Sequence, residues 1–134
     1  MRYLKLFLTA LPLLIILDVL WIGIFADAFY QAAIGLLLTD QVFWPAAFLF
    51  YVLYVGALIV FVLDPALKAR SFKKALTLGA LLGFTAYMTY DLTNLATIEG
   101  WPLFLSVVDI AWGTVASLIV SAVTYTIAQK YLKL

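Results

Sequence analysis

Four long apolar stretches follow one another along the chain, and short segments that hold most of the charged residues separate them. The stretches cover approximately residues 6–26, 43–63, 75–98 and 103–129. A helix rises about 1.5 Å per residue, so about 20 apolar residues are enough to cross a hydrocarbon core of about 30 Å. The pattern therefore predicts four membrane-spanning helices in a single domain, residues 1–134.

A shorter apolar patch, approximately residues 28–38, lies between the first two stretches and is too short to cross a membrane. We expect it to lie along the membrane surface as a short amphipathic helix. Trp44 and Trp101 fall at the same predicted side of the membrane as this patch. Because indole rings favour the headgroup region, we expect both to be interfacial anchors.

The eight basic residues lie in three segments: the N-terminal end, the loop after the second stretch, and the C-terminal end. Basic residues concentrate on the cytoplasmic side of membrane proteins. With four crossings, the N-terminal end, the loop after the second helix and the C-terminal end all lie on the same side of the membrane. The distribution of basic residues therefore agrees with four crossings. The sequence thus predicts an all-α integral membrane protein, a four-transmembrane-helix bundle with both termini cytoplasmic.

The composition supports a membrane location and limits the available chemistry. Hydrophobic residues make up 67% of the chain and charged residues 11%, and the mean hydropathy is +1.15, which lies outside the range of soluble domains. The chain contains no cysteine and no histidine, which excludes disulfides, thiolate nucleophiles and Ser-His triads. Carboxyl oxygens can bind hard cations, but no loop spacing supports such a site, so we predict neither a metal nor a cofactor.

Three acidic residues interrupt the apolar stretches: Asp18, Asp91 and Asp109. Counted from the predicted outer end of each helix they lie about 10 to 12 Å deep, and Tyr51 lies at a similar depth. A central aspartate costs on the order of 2.5 to 3.5 kcal/mol on membrane-insertion scales. We therefore expect the three acids to face one another or a wet cavity, and we predict them as the candidate catalytic residues.

Aromatic and polar side chains accompany these acids. On the third helix they recur every three or four residues, which places them on one face. An Asp-x-x-Trp spacing occurs in both the first and the fourth helix and puts each ring one turn from its acid. An aromatic wall beside an acid cluster is typical of a ligand site; alternatively, these groups only hold the helices together. The predicted ligand-binding residues are Trp21, Tyr51, Tyr87, Tyr90, Asn94 and Trp112.

The chain resembles a known family over essentially its whole length. The resemblance rests on residues 17–21 (LDVLW), 90–97 (YDLTNLAT), 100–103 (GWPL) and 108–113 (VDIAWG). These runs are similar to the small bacterial predicted membrane proteins grouped as domain of unknown function 2177. The resemblance implies four membrane helices and a multi-pass location in the bacterial inner membrane. It implies no established reaction.

Three functions remain open at this point. The preferred hypothesis is that the protein binds or processes a small apolar ligand, such as a lipid or isoprenoid, in the outer half of the bundle. If it is an enzyme, its carboxyl groups suit acid–base chemistry such as double-bond isomerisation. The alternatives are a proton-coupled small-molecule transporter subunit and a non-catalytic accessory subunit of a membrane complex. We expect the lipid bilayer and further copies of the chain, as a homo-oligomer, to be partners, and no nucleic acid, because topology already explains the basic residues.

Overall fold

The computed structural model describes the backbone of residues 1–134 and the side chains of all of them except Phe25. The α-helices are α1 (Arg2–Leu20), α2 (Asp27–Ile34), α3 (Trp44–Ala57), α4 (Asp64–Lys68), α5 (Phe72–Thr97) and α6 (Leu103–Lys130). π-Helical segments, Trp21–Ala26 and Leu58–Leu63, connect α1 to α2 and α3 to α4, and a 3-10 turn, Gly35–Leu37, follows α2.

Three helical segments have the length and composition of membrane spans: Arg2–Ile24, Trp44–Lys68 and Leu103–Lys130. They coincide with the first, second and fourth of the predicted stretches. The remaining long helix, α5, has 26 residues. Helix α5 is less hydrophobic than these three segments, because its second half contains Asp91, Asn94 and several threonines.

The outer surface of these helices is apolar. Leu8, Leu53, Phe61 and Val107 are all exposed, and many other large apolar side chains are exposed in the same way. A soluble monomer rarely presents apolar surface so extensively. This surface is therefore suited to contact with the hydrocarbon chains of a lipid bilayer.

Helices α5 and α6 form the most extensive helix pair of the structure, and small residues allow their close approach. A Cβ atom at Gly83 would collide with the backbone carbonyl of Gly113 and with the Ser117 side chain. The ring of Tyr87 in turn occupies the space where a side chain at Gly113 would lie. Small residues at a helix interface let the two backbones approach, and van der Waals packing between membrane helices depends on this approach.

The apolar core and the polar groups occupy different halves of the bundle. The buried apolar core comes from the first half of α1, the second half of the α3–α4 helix, the start of α5 and the end of α6. At that end Asp64 forms ion pairs with Arg2 (3.0 Å) and Lys68 (2.7 Å). Arg2, Lys68, Arg70 and Lys133 line one cleft there, so the three basic segments meet at one end of the molecule.

The turn between α5 and α6 places Trp101 inside the protein. Gly100 adopts a left-handed conformation with φ of 76°, which glycine tolerates without a steric penalty. The Trp101 indole is 9% exposed, and its Nε1 donates a hydrogen bond of 3.1 Å to Ser106 Oγ. The expectation of an interfacial anchor is therefore wrong for Trp101, whereas Trp44 is exposed.

The close approach of α5 and α6 predicts a large difference between two glycine substitutions. Gly83→Ala should lower stability by about 1 to 3 kcal/mol, because the added methyl group overpacks the interface. Gly56→Ala is the matched control on α3, where nothing lies within 4 Å of the added Cβ. Thermal unfolding in mild detergent measures both, and equal stability of the two variants would contradict the described packing.

Candidate functional site

A cleft of about 440 Å³ opens in the half of the bundle opposite the basic end. Its walls come from α1 and the π-helical segment after it, α2, α3, α5 and α6. Carboxyl groups and aromatic rings account for most of its lining. The lining residues are Asp18, Trp21, Ile22, Asp27, Tyr30, Ile34, Leu38, Phe50, Tyr51, Tyr87, Tyr90, Asp109 and Trp112.

Asp18 provides the first carboxyl group of the cleft, from the last turn of α1. Its side chain is buried, and Tyr51 of α3 donates a hydrogen bond of 3.0 Å to its Oδ2. The Trp112 indole of α6 lies close to the same carboxyl group. A buried carboxyl group needs such donors, because an unsatisfied polar group costs roughly 1 to 3 kcal/mol.

Asp109 of α6 provides the second carboxyl group. The donor here is the Tyr30 hydroxyl of α2, which hydrogen-bonds to Asp109 Oδ1, and Trp21 Nε1 donates to the Tyr30 oxygen at 3.4 Å. Burial, together with the bond to Asp109, raises the pKa of Tyr30 well above its ordinary value. Tyr30 is therefore a neutral donor, and α2 is held against the mouth of the cleft by a polar contact.

The rings of Trp21 and Trp112 stack on each other inside the cleft. Their centroids are 4.5 Å apart and their planes differ by 4°. Such a pair contributes about 0.5 to 1.5 kcal/mol beyond the area it buries. The Asp-x-x-Trp spacing explains the contact, because it places each indole one helical turn from an acid that faces the same cleft. The π-helical segment that begins at Trp21 widens the helix where the ring enters the bundle.

Asp91 of α5 lies beside Asp109 but does not line the cleft. It is completely buried and close enough to Asp109 for the two carboxyl groups to interact. Among the described residues, neither of its carboxyl oxygens has a hydrogen-bond partner. Asp91 therefore does not meet a molecule in the cleft directly and can act on it only through Asp109.

A second cleft, of about 410 Å³, lies between α3 and α5 and also reaches Asp109. Phe50 and Tyr54 of α3 form one wall, and Tyr87 and Tyr90 of α5 form the other. Phe50 and Tyr90 are exposed at its outer edge. The acid cluster is therefore accessible through the side of the bundle as well as through the cleft beneath α2.

The structure brings most of the predicted site residues together. Seven of the nine line the main cleft, whereas Asp91 lies behind it and Asn94 outside it. Asn94 is one turn beyond Tyr90 and is only partly buried. Sequence reasoning missed three lining residues: Tyr30, Asp27 and Phe50. Tyr30 lies in the short segment between the first two spans. Periodicity gives no signal that this segment folds back onto α6.

The apolar outer surface, the span-length helices and the internal acid cluster together define a helical membrane protein. The sequence comparison identifies the family: the model of the predicted membrane proteins DUF2177 matches residues 3–126, and the chain belongs to this family. The runs that suggested the resemblance all lie within the matched region, so the family assignment is confirmed. No curated protein and no solved structure gives a match.

The contact between α2 and α6 predicts a specific loss of stability. Tyr30→Phe removes the donor to a buried carboxyl oxygen and should cost about 1 to 3 kcal/mol. Tyr131→Phe removes the hydroxyl of an exposed tyrosine and should leave stability unchanged. Unfolding by increasing dodecyl sulfate fraction in mixed micelles measures both, and a Tyr30→Phe protein as stable as the control would show that the contact is absent in the membrane protein.

Proposed function

We propose that this protein binds a small, largely apolar ligand within the membrane, at the acid and aromatic cleft between its helices. The observation that carries the proposal is the cleft of about 440 Å³, where three carboxyl groups lie among aromatic rings from several helices. Ligand sites are typically concave and mostly apolar, with a few polar groups that fix orientation.

The proposed setting is the bacterial inner membrane, with four crossings and both termini in the cytoplasm. In this proposal α5 is also a crossing, the third along the chain, and its extensive pairing with α6 supports this position. The meeting of the three basic segments at one end supports a cytoplasmic position for that end. The cleft then lies in the outer half of the bundle, and the gap between α3 and α5 opens towards lipid.

The proposed chemistry at this site, if the ligand is also a substrate, is proton transfer by carboxyl groups. Asp109 would donate a proton to one carbon of an alkene, and its carboxylate would then remove a proton from the carbon beyond the resulting cationic centre, so that the double bond moves and the acid is restored. Asp91, directly behind Asp109, would act only through Asp109. The stacked indoles of Trp21 and Trp112, which line the same cleft, would lie beside the cation that develops during such a step. Asp18, bound to Tyr51, would hold the polar end of the ligand.

The ligand proposal predicts co-purification that depends on the stacked indoles. A bound small molecule should be detected by native mass spectrometry of protein purified in mild detergent at native expression. The double variant Trp21→Ala, Trp112→Ala should lose it, because one apolar wall of the cleft is gone, whereas Trp44→Ala, at an exposed ring, should retain it. Retention by all three proteins, or no bound molecule in the wild type, would contradict a ligand site at this position.

A row of buried hydroxyl groups favours proton-coupled transport as a second candidate function. Ser117, Ser121 and Thr124 follow Asp109 along α6 towards the basic end and are all buried. Ser117 is hydrogen-bonded to Tyr54 at 2.6 Å, whereas the hydroxyls of Ser121 and Thr124 have no partner among the described residues. Such a row could carry protons from the acid cluster, as relays of polar side chains do in membrane proteins.

Transport predicts a proton flux that requires the acid cluster. When the external medium is made more acidic than the lumen of proteoliposomes, the lumen should acidify faster than the lumen of protein-free liposomes. Asp91→Asn should abolish this protein-dependent proton flux. Asp40→Asn, at an exposed residue outside the helices, is the control and should retain the flux. A flux equal to that of protein-free liposomes would rule this candidate out.

A further inference from the structure

The presence of several acids and the absence of basic side chains restrict the kind of ligand that the cleft can hold. Asp18, Asp27 and Asp109 line it, and Asp91 lies directly behind Asp109. No lysine, arginine or histidine occurs in residues 6–67 or 75–129, which supply every element of the site. The acids therefore have neutral partners only, namely the hydroxyls of Tyr30 and Tyr51 and the indoles beside them.

The aromatic side chains of the cleft favour a positively charged ligand, as the acids do. Aromatic rings attract cations at their faces, by about 0.5 to 2 kcal/mol each according to solvent exposure. Trp21, Trp112, Tyr87, Tyr90 and Phe50 present such rings around the two lining acids of α1 and α6. Hard metal cations require six to eight oxygen ligands, and among the described residues no group of three or more acidic side chains is arranged to hold a metal ion.

From these two features we propose that the natural ligand is a lipophilic organic cation, such as a quaternary ammonium or a protonated amine on an apolar body. This inference rests on the proposed ligand-binding function and specifies its substrate class. Asp109 supports it, because both clefts reach this acid and Asp91 lies directly behind it. A cation beside Asp109 would offset the cost of placing two acids together without a basic partner. The gap between α3 and α5 gives such a molecule a route from the bilayer.

Two probes of nearly equal size and shape but opposite charge test this inference on the unmodified protein. Tetraphenylphosphonium should bind at least about tenfold more tightly than tetraphenylborate, a difference of about 1.4 kcal/mol. Equilibrium dialysis of radiolabelled probes against protein in a non-ionic detergent measures both affinities. Because the comparison needs no substitution, it does not depend on how well any variant folds.

Two site variants test whether the preference for the phosphonium arises at the acids of the cleft. Asp18→Asn and Asp109→Asn should each reduce phosphonium affinity by about tenfold or more, whereas Asp40→Asn, which removes the same charge from an exposed site, should not change it. Equal binding of the two probes, preference for the borate, or insensitivity to both site variants would overturn the inference.

The outcomes also separate this inference from the proposed function. If a co-purified ligand requires Trp21 and Trp112 but the two probes bind equally, a ligand site exists and its preference for cations is refuted. If neither probe binds and no molecule co-purifies, both the cation preference and the ligand site are refuted.

Discussion

The structure depends on one constraint: several carboxyl groups lie buried between apolar helices that offer them no basic side chain. Basic residues occur only near the two ends of the sequence and in one loop, and the fold gathers these at one end. Asp18 and Asp109 must therefore be satisfied by neutral donors, and Tyr51 and Tyr30 take this role. Each donor comes from a different element, so satisfying the acids also fixes α2 and α3 against α1 and α6.

The same constraint explains why the bundle is tightly packed in one half and open in the other. Leucine, valine and alanine fill the half near the basic end. In the other half, tyrosine and tryptophan rings reach the acids and leave clefts between them. The small residues of the α5–α6 interface, Gly83 and Gly113 among them, hold these two helices together, so the opening forms between α3 and α5.

Much of this arrangement could be predicted from the sequence, because it follows from local periodicity. Apolar length located the helices, and the repeated Asp-x-x-Trp spacing indicated that Trp21 and Trp112 lie beside acids. Periodicity says which residues share a face, but it does not say how a short segment folds back, so the contact of Tyr30 with Asp109 was missed. Trp101 was misplaced for a related reason, since composition at a helix end does not show that a turn at Gly100 directs the ring inwards.

The convergence of α1, α2 and α6 on one acid cluster is the central claim, and cysteine cross-linking tests it most directly. The chain contains no cysteine, so the double variant Phe29→Cys, Phe104→Cys carries the only reactive thiols. These rings of α2 and α6 have centroids 5.6 Å apart, and their replacement leaves the Tyr30–Asp109 hydrogen bond in place. In native membranes a short bis-methanethiosulfonate reagent should join these two positions efficiently. It should join the pair Phe61→Cys, Phe104→Cys far less well, because Phe61 is exposed in the half of the bundle near the basic end. Absence of the first cross-link, or equal yield from both pairs, would show that α2 does not close over the acid cluster and would contradict the account.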